Sequence, residues 1–445
     1  MEAINKNASE NQNFNAKKAV PVILVFFLFA LIIDNSFKLV SVDIAKDLGI
    51  SATTVSWQAT LAGLVIGIGA VVYASLADSI NIRTLLSAGI IFICVGSIIG
   101  YLFKDNFAMI LFGRIIQTAG LASAETLYVI YVTKHLPKDE QKKFLGLSTS
   151  SYAMSLLIGS LTGGFISTYF HWTTLFLIAL LSIAILPFIL KLLPKEESRK
   201  VNVDVIGLFL IAAIATTVML YISDFNWLYL IGFAVALGLF LTYISKSSKA
   251  LIDVTFFKNQ RFIRTLPIVF VIYSVQLGYI FVFPFFLERI YDLKLDMISL
   301  LLIPGYVISV IIGALSGKIG NVLSSKQATL IALCGIAVAL FIPGLFTESS
   351  VVIYVLSMVI FSGSFALMYA PLLDTCISSI PKEKSGTAIG FYNLTINVAG
   401  SIGMSYTAAM LDKTNISTIL IALTVIVVVA LGLYWMLLGK ILKAN

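Results

Sequence analysis

The chain has 445 residues, 59% of them hydrophobic and only 12% charged, and its mean hydropathy is +1.01. A soluble globular domain has about 25% charged residues, so this composition excludes a soluble enzyme or binding module. The net charge of +8 does not indicate a nucleic-acid partner, because membrane proteins concentrate Lys and Arg in their cytoplasmic loops.

Fourteen apolar stretches follow one another along the chain, with only short charged connectors between them. A helix of about 20 apolar residues crosses a bilayer core of roughly 30 Å, so each stretch is predicted to be a transmembrane helix. The predicted spans are 20–43, 57–77, 83–103, 106–133, 143–169, 172–193, 205–223, 227–245, 265–287, 297–317, 327–346, 349–373, 385–410 and 416–439. The predicted fold class is an all-α polytopic protein of the lipid bilayer.

The distribution of basic residues predicts how these spans are oriented. Fourteen crossings put both termini on one side of the membrane. Of the 30 Lys and Arg residues, 23 lie in the termini and connectors of that side, and five lie in the connectors of the other side. Because cytoplasmic loops carry the excess of Lys and Arg, both termini are predicted to be cytoplasmic, in a protein of the cell membrane.

The two longest connectors, 191–204 and 246–264, separate a pair of spans from the rest. A weak internal repeat supports this division, because segment 74–81 is echoed by segment 313–320. Repeated halves occur in transporters that bind their substrate between the halves, near the bilayer midplane. The predicted organisation is a cytoplasmic segment 1–19, a six-helix bundle 20–193, two additional helices 205–246 and a second six-helix bundle 265–440.

Four ionisable side chains fall inside predicted spans, where a charge is costly and usually functional. Asp34 and Lys38 belong to the first span, and Arg114 and Glu125 belong to the fourth. At 1.5 Å per residue, Asp34 lies about 24 Å from the cytoplasmic end, and Arg114 lies about 10 Å below the outer end. An Asp34–Arg114 ion pair is therefore predicted. It either takes part in transport or only holds two helices together, and Lys38 either joins it or extends to the outer surface.

The fourth span carries a polar stripe. Arg114, Gln117 and Glu125 recur at helical spacing on one face, with Glu125 about 16 Å closer to the cytoplasm than Arg114. Such a stripe is typical of a water-accessible cavity, in which a carboxyl group changes its charge as its access to water and to cations changes. The stripe predicts coupling of protons to a cationic or chelated substrate. The alternative is that Glu125 is a structural hydrogen-bonding residue.

Small and aromatic residues suggest further contacts. Gly159 and Gly163 form a GxxxG face that allows close approach of another helix. Four tyrosines are candidates for stacking on a planar substrate: Tyr128, Tyr152, Tyr279 and Tyr369. Four acids near predicted helix ends are expected to be solvated: Asp224, Glu288, Asp292 and Asp374.

Several kinds of chemistry have no signature in this chain. The nearest approach to a phosphate-binding loop, 313–319, has the wrong spacing, so ATP-driven pumping is not expected. Cys94, Cys334 and Cys376 have neither metal-ligand nor CxxC spacing. No nucleophile–base arrangement stands out. We therefore expect no enzyme activity, no cofactor and no bound metal of the protein's own.

The motifs in this order resemble those of a transporter family. The run Arg114-Ile-Ile-Gln117-Thr-Ala-Gly120-Leu-Ala resembles the RxxQGxGxA motif of major facilitator superfamily drug exporters, with Thr118 in place of a Gly. The turn after the second span is similar to the superfamily motif GxLaDrxGrkxxl. Its matching residues are Leu76, Ala77, Asp78, Arg83 and Leu86, whereas Ala74 and Asn81 replace glycines.

Two further motifs belong to the drug:proton antiporters. Segment 155–164 is similar to GxxxGPxxGG, in which Gly159, Gly163 and Gly164 match and Ser155 and Ser160 depart. Asp34 occupies the acidic position of a first-helix motif typical of the 14-helix branch. The resemblance covers nearly the whole chain and implies a major facilitator fold, with two six-helix bundles, two additional central helices and 14 transmembrane helices.

Within this branch, segments 79–86, 110–117 and 225–227 look most like Gram-positive tetracycline efflux proteins. The resemblance implies export of tetracycline, as a complex with a divalent metal such as Mg²⁺, in exchange for protons, by a protein that acts as a monomer. Two acids of those proteins are missing: the thirteenth span has no carboxylate in segment 393–401, and Leu156 is the nearest match in the fifth span. Two alternatives therefore stay open: a broad exporter of lipophilic cations, quaternary ammonium compounds or fluoroquinolones, and an uncoupled facilitator or solute receptor.

Overall fold

The computed structural model describes residues 16–77, 80–194, 204–246, 259–380 and 385–438. These residues form an all-helical protein, and among them twelve helices are long and apolar enough to cross a membrane. Two further long helices, Lys138–Tyr169 and Ser385–Lys413, lie at the predicted spans 143–169 and 385–410.

The described helices form an N-terminal half, a central pair and a C-terminal half. The N-terminal half contains α1 (Ala16–Leu39), α2 (Ser41–Leu48), α3 (Ala52–Leu76), α4 (Ile82–Leu102), α5 (Phe107–His135), α6 (Lys138–Tyr169), α7 (Thr174–Ala179), a 3-10 segment (Leu180–Ile185) and α8 (Leu186–Leu192). The central pair is α9 (Val205–Asp224) and α10 (Trp227–Lys246). The C-terminal half contains α11 (Gln260–Tyr291), α12 (Leu295–Gly320), α13 (Ser325–Leu345), α14 (Val351–Ile377), α15 (Ser385–Lys413) and α16 (Ile416–Leu438).

The first helix differs from the prediction of one continuous span over 20–43. It ends at Leu39, and the short helix α2 begins at Ser41. The Ser41 hydroxyl donates to the carbonyl oxygen of Lys38 at 2.9 Å, which satisfies one of the acceptors that a helix end leaves unpaired. Gly49 ends α2 in the left-handed conformation, with a φ of 61°. The chain therefore turns soon after Asp34 and Lys38.

The central pair packs against both halves through α9. Ala215 and Met219 of α9 form a small buried cluster with Leu64 of α3, and residues of α15 pack against it. The Asp204 carboxylate accepts from the backbone N–H of Gly207 at 2.8 Å and thereby caps α9. The same carboxylate accepts from the hydroxyl of Tyr243 at 2.5 Å, which ties α10 to α9.

The two halves meet along two helix pairs, α3 with α15 and α6 with α12. Polar contacts join them at the end of the molecule that the basic-residue count predicts to be outside. Lys46 pairs with Glu288 of the other half at 2.5 Å. The Asp412 carboxylate accepts from the backbone N–H groups of Ala52 and Thr53, at 3.0 and 2.7 Å, and so caps α3 from the opposite half.

At the opposite end, polar contacts of the described residues join helices of the same half. Arg83 donates to the carbonyl oxygen of Leu193 at 3.4 Å within the N-terminal half. Arg261 donates to the carbonyl oxygen of Thr375 at 3.1 Å within the C-terminal half. The polar contacts described between the two halves therefore lie at the predicted outer end.

Candidate functional site

The Asp34 carboxylate lies between two cations in the interior of the N-terminal half. Lys38 Nζ is 2.6 Å from one carboxylate oxygen, and Arg114 Nη2 is 3.2 Å from the other. Asp34 and Arg114 are 3% and 1% exposed. The predicted pairing of Asp34 with Arg114 is present. Lys38 points to Asp34, so it does not extend to the outer surface.

Arg114 is held in place by contacts on three sides. Its Nη1 donates to Gln117 Oε1 at 2.5 Å, and Gln117 Nε2 donates to Ser97 Oγ of α4 at 2.8 Å. The Phe37 ring lies 4.2 Å from the guanidinium carbon, at cation–π distance. Gln117, a residue of the predicted stripe, therefore orients Arg114 and connects it to α4. Sequence reasoning missed Ser97 and Phe37, because spacing along one helix does not reveal its neighbours.

Glu125 has a different environment from Arg114 on the same helix. Arg114 and Gln117 are fully buried, whereas Glu125 is half-buried although a full shell of protein surrounds it. Among the described residues, no group donates a hydrogen bond to its carboxylate. A surrounded but accessible side chain indicates a cavity, and Glu125 faces it.

The tyrosines separate into two classes. Tyr152 of α6 and Tyr369 of α14 are 41% and 40% exposed, although protein surrounds both, so they line the cavity from opposite halves. Tyr128 and Tyr279 are fully buried, and their hydroxyls bond to Phe144 O and Ser357 Oγ. Of the four candidates, only the first two can touch a substrate in this conformation.

A comparison with known protein families supplies the identity of the fold. The family model described as the Major Facilitator Superfamily matches residues 22–404. The chain belongs to this superfamily. It is therefore a membrane transporter, and members of such a family are generally not enzymes.

Two curated relatives are similar at low identity. The quinolone resistance protein NorB of Staphylococcus aureus (strain bovine RF122 / ET3-1) is 26% identical over 443 residues, which cover 94% of this chain and 93% of NorB. The riboflavin transporter RibZ of Clostridioides difficile (strain 630) is 25% identical over 405 residues, which cover 88% of this chain and 87% of RibZ.

Solved transporter structures share the fold. A POT family transporter in complex with 5-aminolevulinic acid matches with a TM-score of 0.74 and 15% identity, over 95% of this chain and 96% of that one. The xylose transporter XylE from E. coli, in a partially occluded inward-open conformation, matches with a TM-score of 0.64 and 14% identity, over 94% of this chain and 99% of that one. At these identities the likeness concerns the fold alone.

The glycines of segment 155–164, which resembles the antiporter motif, lie at two contacts between helices. A Cβ atom on Gly159 or Gly163 would lie 2.9 Å from a backbone oxygen of α1, that of Ile32 or Ser36. A Cβ atom on Gly164 would lie 2.5 Å from the carbonyl oxygen of Leu295 in α12. The motif therefore brings α6 close to α1 on one side and to the C-terminal half on the other.

The turn motif of the superfamily is described in part, because Asp78 lies outside the described residues. Asn81 caps α4 by accepting from the backbone N–H of Arg83 at 2.8 Å. Its amide nitrogen donates to the carbonyl oxygen of Pro194 at 2.9 Å. Together with the Arg83–Leu193 bond, this contact fixes the start of α4 to the end of α8.

The expectation that Glu288 is simply solvated is wrong, because it pairs with Lys46 across the two halves. Sequence reasoning also missed Asp43 of α2. The Ser167 hydroxyl of α6 donates to the Asp43 carboxylate, and burial raises the pKa of this group above its usual range. Both acids lie near helix ends, where the sequence does not reveal which other helix ends are nearby.

Proposed function

We propose that this transporter is a proton-coupled antiporter, which exports drug-like small molecules across the cytoplasmic membrane and confers drug resistance. The observation that carries the proposal is the buried Asp34 carboxylate, which is shared by Lys38 and by Arg114, a residue of the helix that also carries the accessible Glu125. Charged groups inside a span are costly, and transporters use them as proton and substrate sites.

The proposed coupling follows from the electrostatics of this group. Asp34 and Glu125 are both carboxyl groups inside membrane-spanning helices, and such a group changes its charge as its access to water and to cations changes. A cationic group of the substrate at Glu125 favours the charged carboxylate and thereby the loss of a proton. A proton that arrives from the outside neutralises a carboxylate and weakens the hold on the substrate. Proton entry and drug release are then linked.

The proposed substrate range is broad. The names of the relatives NorB and RibZ refer to quinolones and to riboflavin, and both compounds have planar ring systems. Tetracycline, carried as a Mg²⁺ complex, is a narrower proposal that rests on the sequence resemblance alone. The cavity tyrosines suit planar rings of either kind.

The proposed membrane arrangement has fourteen crossings, with both termini cytoplasmic. It adds α6 and α15 to the twelve apolar helices, because these two helices supply contacts between the halves. The links between halves at the predicted outer end support an inward-facing state. We propose that one monomer is the working unit, with no cofactor of its own.

The test uses inverted membrane vesicles with and without an imposed proton gradient. Tetracycline, a fluoroquinolone, riboflavin and a quaternary ammonium compound are offered in parallel, with and without Mg²⁺. We expect gradient-dependent accumulation of several compounds, lost when a protonophore is added. Flux that only equalises concentrations would indicate an uncoupled facilitator. Accumulation of tetracycline alone, and only with Mg²⁺, would replace the broad range by the narrower one.

A further inference from the structure

The last turn of α1, just before α2 begins, supplies two side chains to the candidate site. Lys38 Nζ is 2.6 Å from the Asp34 carboxylate, and the Phe37 ring lies 4.2 Å from the guanidinium carbon of Arg114. Because α1 stops here, carbonyl oxygens of this turn lose the backbone donors that a continuing helix would provide. The positions of both side chains therefore depend on the groups that hold these carbonyl oxygens.

Gln58 of α3 holds this turn from outside α1. The residue is 1% exposed, and its Nε2 donates to the carbonyl oxygen of Phe37 at 2.9 Å and to Ser41 Oγ at 2.8 Å. The Ser41 hydroxyl donates in turn to the carbonyl oxygen of Lys38 at 2.9 Å. One buried carboxamide of α3 therefore fixes the backbone of both residues that contact the charges of the site.

The two helices that follow this turn, α2 and α3, both carry contacts between the halves. The first two backbone N–H groups of α3 donate to the Asp412 carboxylate at 3.0 and 2.7 Å, about 9 Å along the helix from Gln58. α2 carries Lys46, which pairs with Glu288 at 2.5 Å. Gln58 therefore joins the helices that close the predicted outer end to the turn that bears Lys38.

We infer that Gln58 is a positioning residue, which connects closure of the predicted outer end to the ion pairs of Asp34. When α2 and α3 move away from the C-terminal half, the bonds of Gln58 displace the last turn of α1, and with it the Lys38 ammonium and the Phe37 ring. Loss of the Asp34 pairs has the reverse effect on the outer end, because coupling between two sites is reciprocal. The inference rests on the proposed role of Asp34 and names a residue through which that role acts.

Two variants remove the connection to different extents. Gln58→Met keeps the length of the side chain but removes both donated bonds. Among the described residues, Gln58 Oε1 has no hydrogen-bond partner, so methionine also removes an unpaired buried acceptor. These two effects on stability oppose each other, and we expect the variant to fold. Ser41→Ala is milder, because it leaves the bond from Gln58 to the Phe37 carbonyl oxygen.

The measurement is the distance between spin labels at the outer ends of α2 and α11 in purified, reconstituted protein, which gives the ratio of open to closed outer ends. In the wild type, Asp34→Asn should raise this ratio about tenfold, a usual size for coupling between two sites. In the Gln58→Met background the same substitution should raise it less than about threefold. The Ser41→Ala background should give an intermediate response. A residue with only a structural role would lower thermal stability but leave this response unchanged.

Gln141→Met is the matched control. Gln141 Nε2 also donates to two carbonyl oxygens at a helix end, those of Thr133 and Leu136 at 3.0 and 2.8 Å. This helix end belongs to α5 and lies at the predicted cytoplasmic side, away from the labels. The Gln141→Met background should therefore show the full response to Asp34→Asn.

A full wild-type response to Asp34→Asn in folded Gln58→Met or Ser41→Ala protein would overturn the inference, as would the absence of any response in the wild type. Export against a gradient by the wild type is measured in parallel and reports on the proposed function. If drugs accumulate but the response survives in both variants, only the role of Gln58 is wrong. If no compound accumulates, the proposed function is wrong, whereas the label distances still decide the role of Gln58.

Discussion

The two halves of this transporter share a fold but differ in where their charges lie. In the N-terminal half, Asp34, Lys38, Arg114 and Glu125 all lie well inside membrane-spanning helices. In the C-terminal half, the described Asp, Glu, Lys and Arg residues lie near helix ends. The interior of that half instead contributes tyrosines.

Several tyrosines lie in the interior of the C-terminal half. Tyr273 packs edge-to-face on Tyr392, with ring centroids 6.3 Å apart, and both are buried, whereas Tyr369 is 40% exposed. We infer from this difference a division of labour: the N-terminal half supplies the charged groups together with Tyr152, and the C-terminal half supplies the ring of Tyr369 without charged groups. Five substitutions would break or sharpen this comparison.

Asp34→Asn should have the largest effect on the charged half. It leaves Lys38 and Arg114 without their shared counter-ion, so uphill drug export should fall to the level of empty vesicles. Export and drug-induced proton release are measured together. Asp374→Asn is the matched control, because Asp374 is an exposed acid at the end of α14. Normal export and normal proton release in folded Asp34→Asn protein would end the role of Asp34 in coupling.

Arg114→Ala should be more damaging than Arg114→Lys. Alanine leaves Gln117 Oε1 without its donor and Asp34 without one of its two cations, at a cost of about 3–5 kcal/mol in stability. Lysine keeps the charge but not the planar fork that holds two partners. Thermal unfolding in detergent and export are compared for both variants. If both variants unfold early but export normally while folded, the pair is only a structural link.

Gly163→Leu should disrupt the close packing of α6 against α1, the helix that contains Asp34 and Lys38. Even a Cβ atom would lie 2.9 Å from the Ser36 carbonyl oxygen, so a leucine forces the two helices apart at a cost of about 1–3 kcal/mol. Gly163→Ala should be tolerated in part. Gly313→Leu is the control, since a Cβ atom on Gly313 meets no atom within 4 Å. Equal export rates for the two leucine variants would contradict the close approach of α6 to α1.

Tyr369→Ala should weaken drug binding by about tenfold, whereas Tyr369→Phe should change it little, because the ring face rather than the hydroxyl makes the contact. Equilibrium dialysis with a planar drug measures both variants. Tyr101→Ala removes a comparably exposed ring from the outer end of α4 and should have no effect. If Tyr369→Phe instead weakens drug binding strongly, Tyr369 contributes through a hydrogen bond of its hydroxyl rather than through ring stacking.

Asp43→Asn should have the smallest effect, on the pH dependence of outer closure. Burial raises the pKa of the Asp43 carboxyl; the Ser167 hydrogen bond, Lys46 and His171 oppose this shift, and Glu288 reinforces it. A raised pKa means that the protonated form favours the closed arrangement, so closure should strengthen as the pH falls through that value and weaken as it rises. Distances between spin labels at the outer ends of α2 and α11 report the closure. The Asn variant should show no such dependence, and an unchanged pH profile would exclude Asp43 as its source.

The sequence by itself was sufficient for several features. Apolar stretches of spanning length predicted the all-helical membrane fold, because a bilayer requires helices with satisfied backbones. The rise per residue along two helices placed Asp34 and Arg114 at one height, and the structure has this pair. The motifs around Arg114 and Gly163 indicated the superfamily to which the chain belongs.

The tertiary structure decided which of these side chains share a site. From the sequence, Lys38 could equally pair with Asp34 or extend to the outer surface. Only the structure, in which the first helix ends at Leu39, shows that it pairs with Asp34. Tyr128 and Tyr369 both lie inside apolar stretches of the sequence, yet Tyr128 is packed against Phe27 and Tyr369 faces the cavity. The Lys46–Glu288 pair joins residues 242 positions apart. Helical periodicity predicts the face of one helix, but the neighbour of that face is set by packing between distant segments.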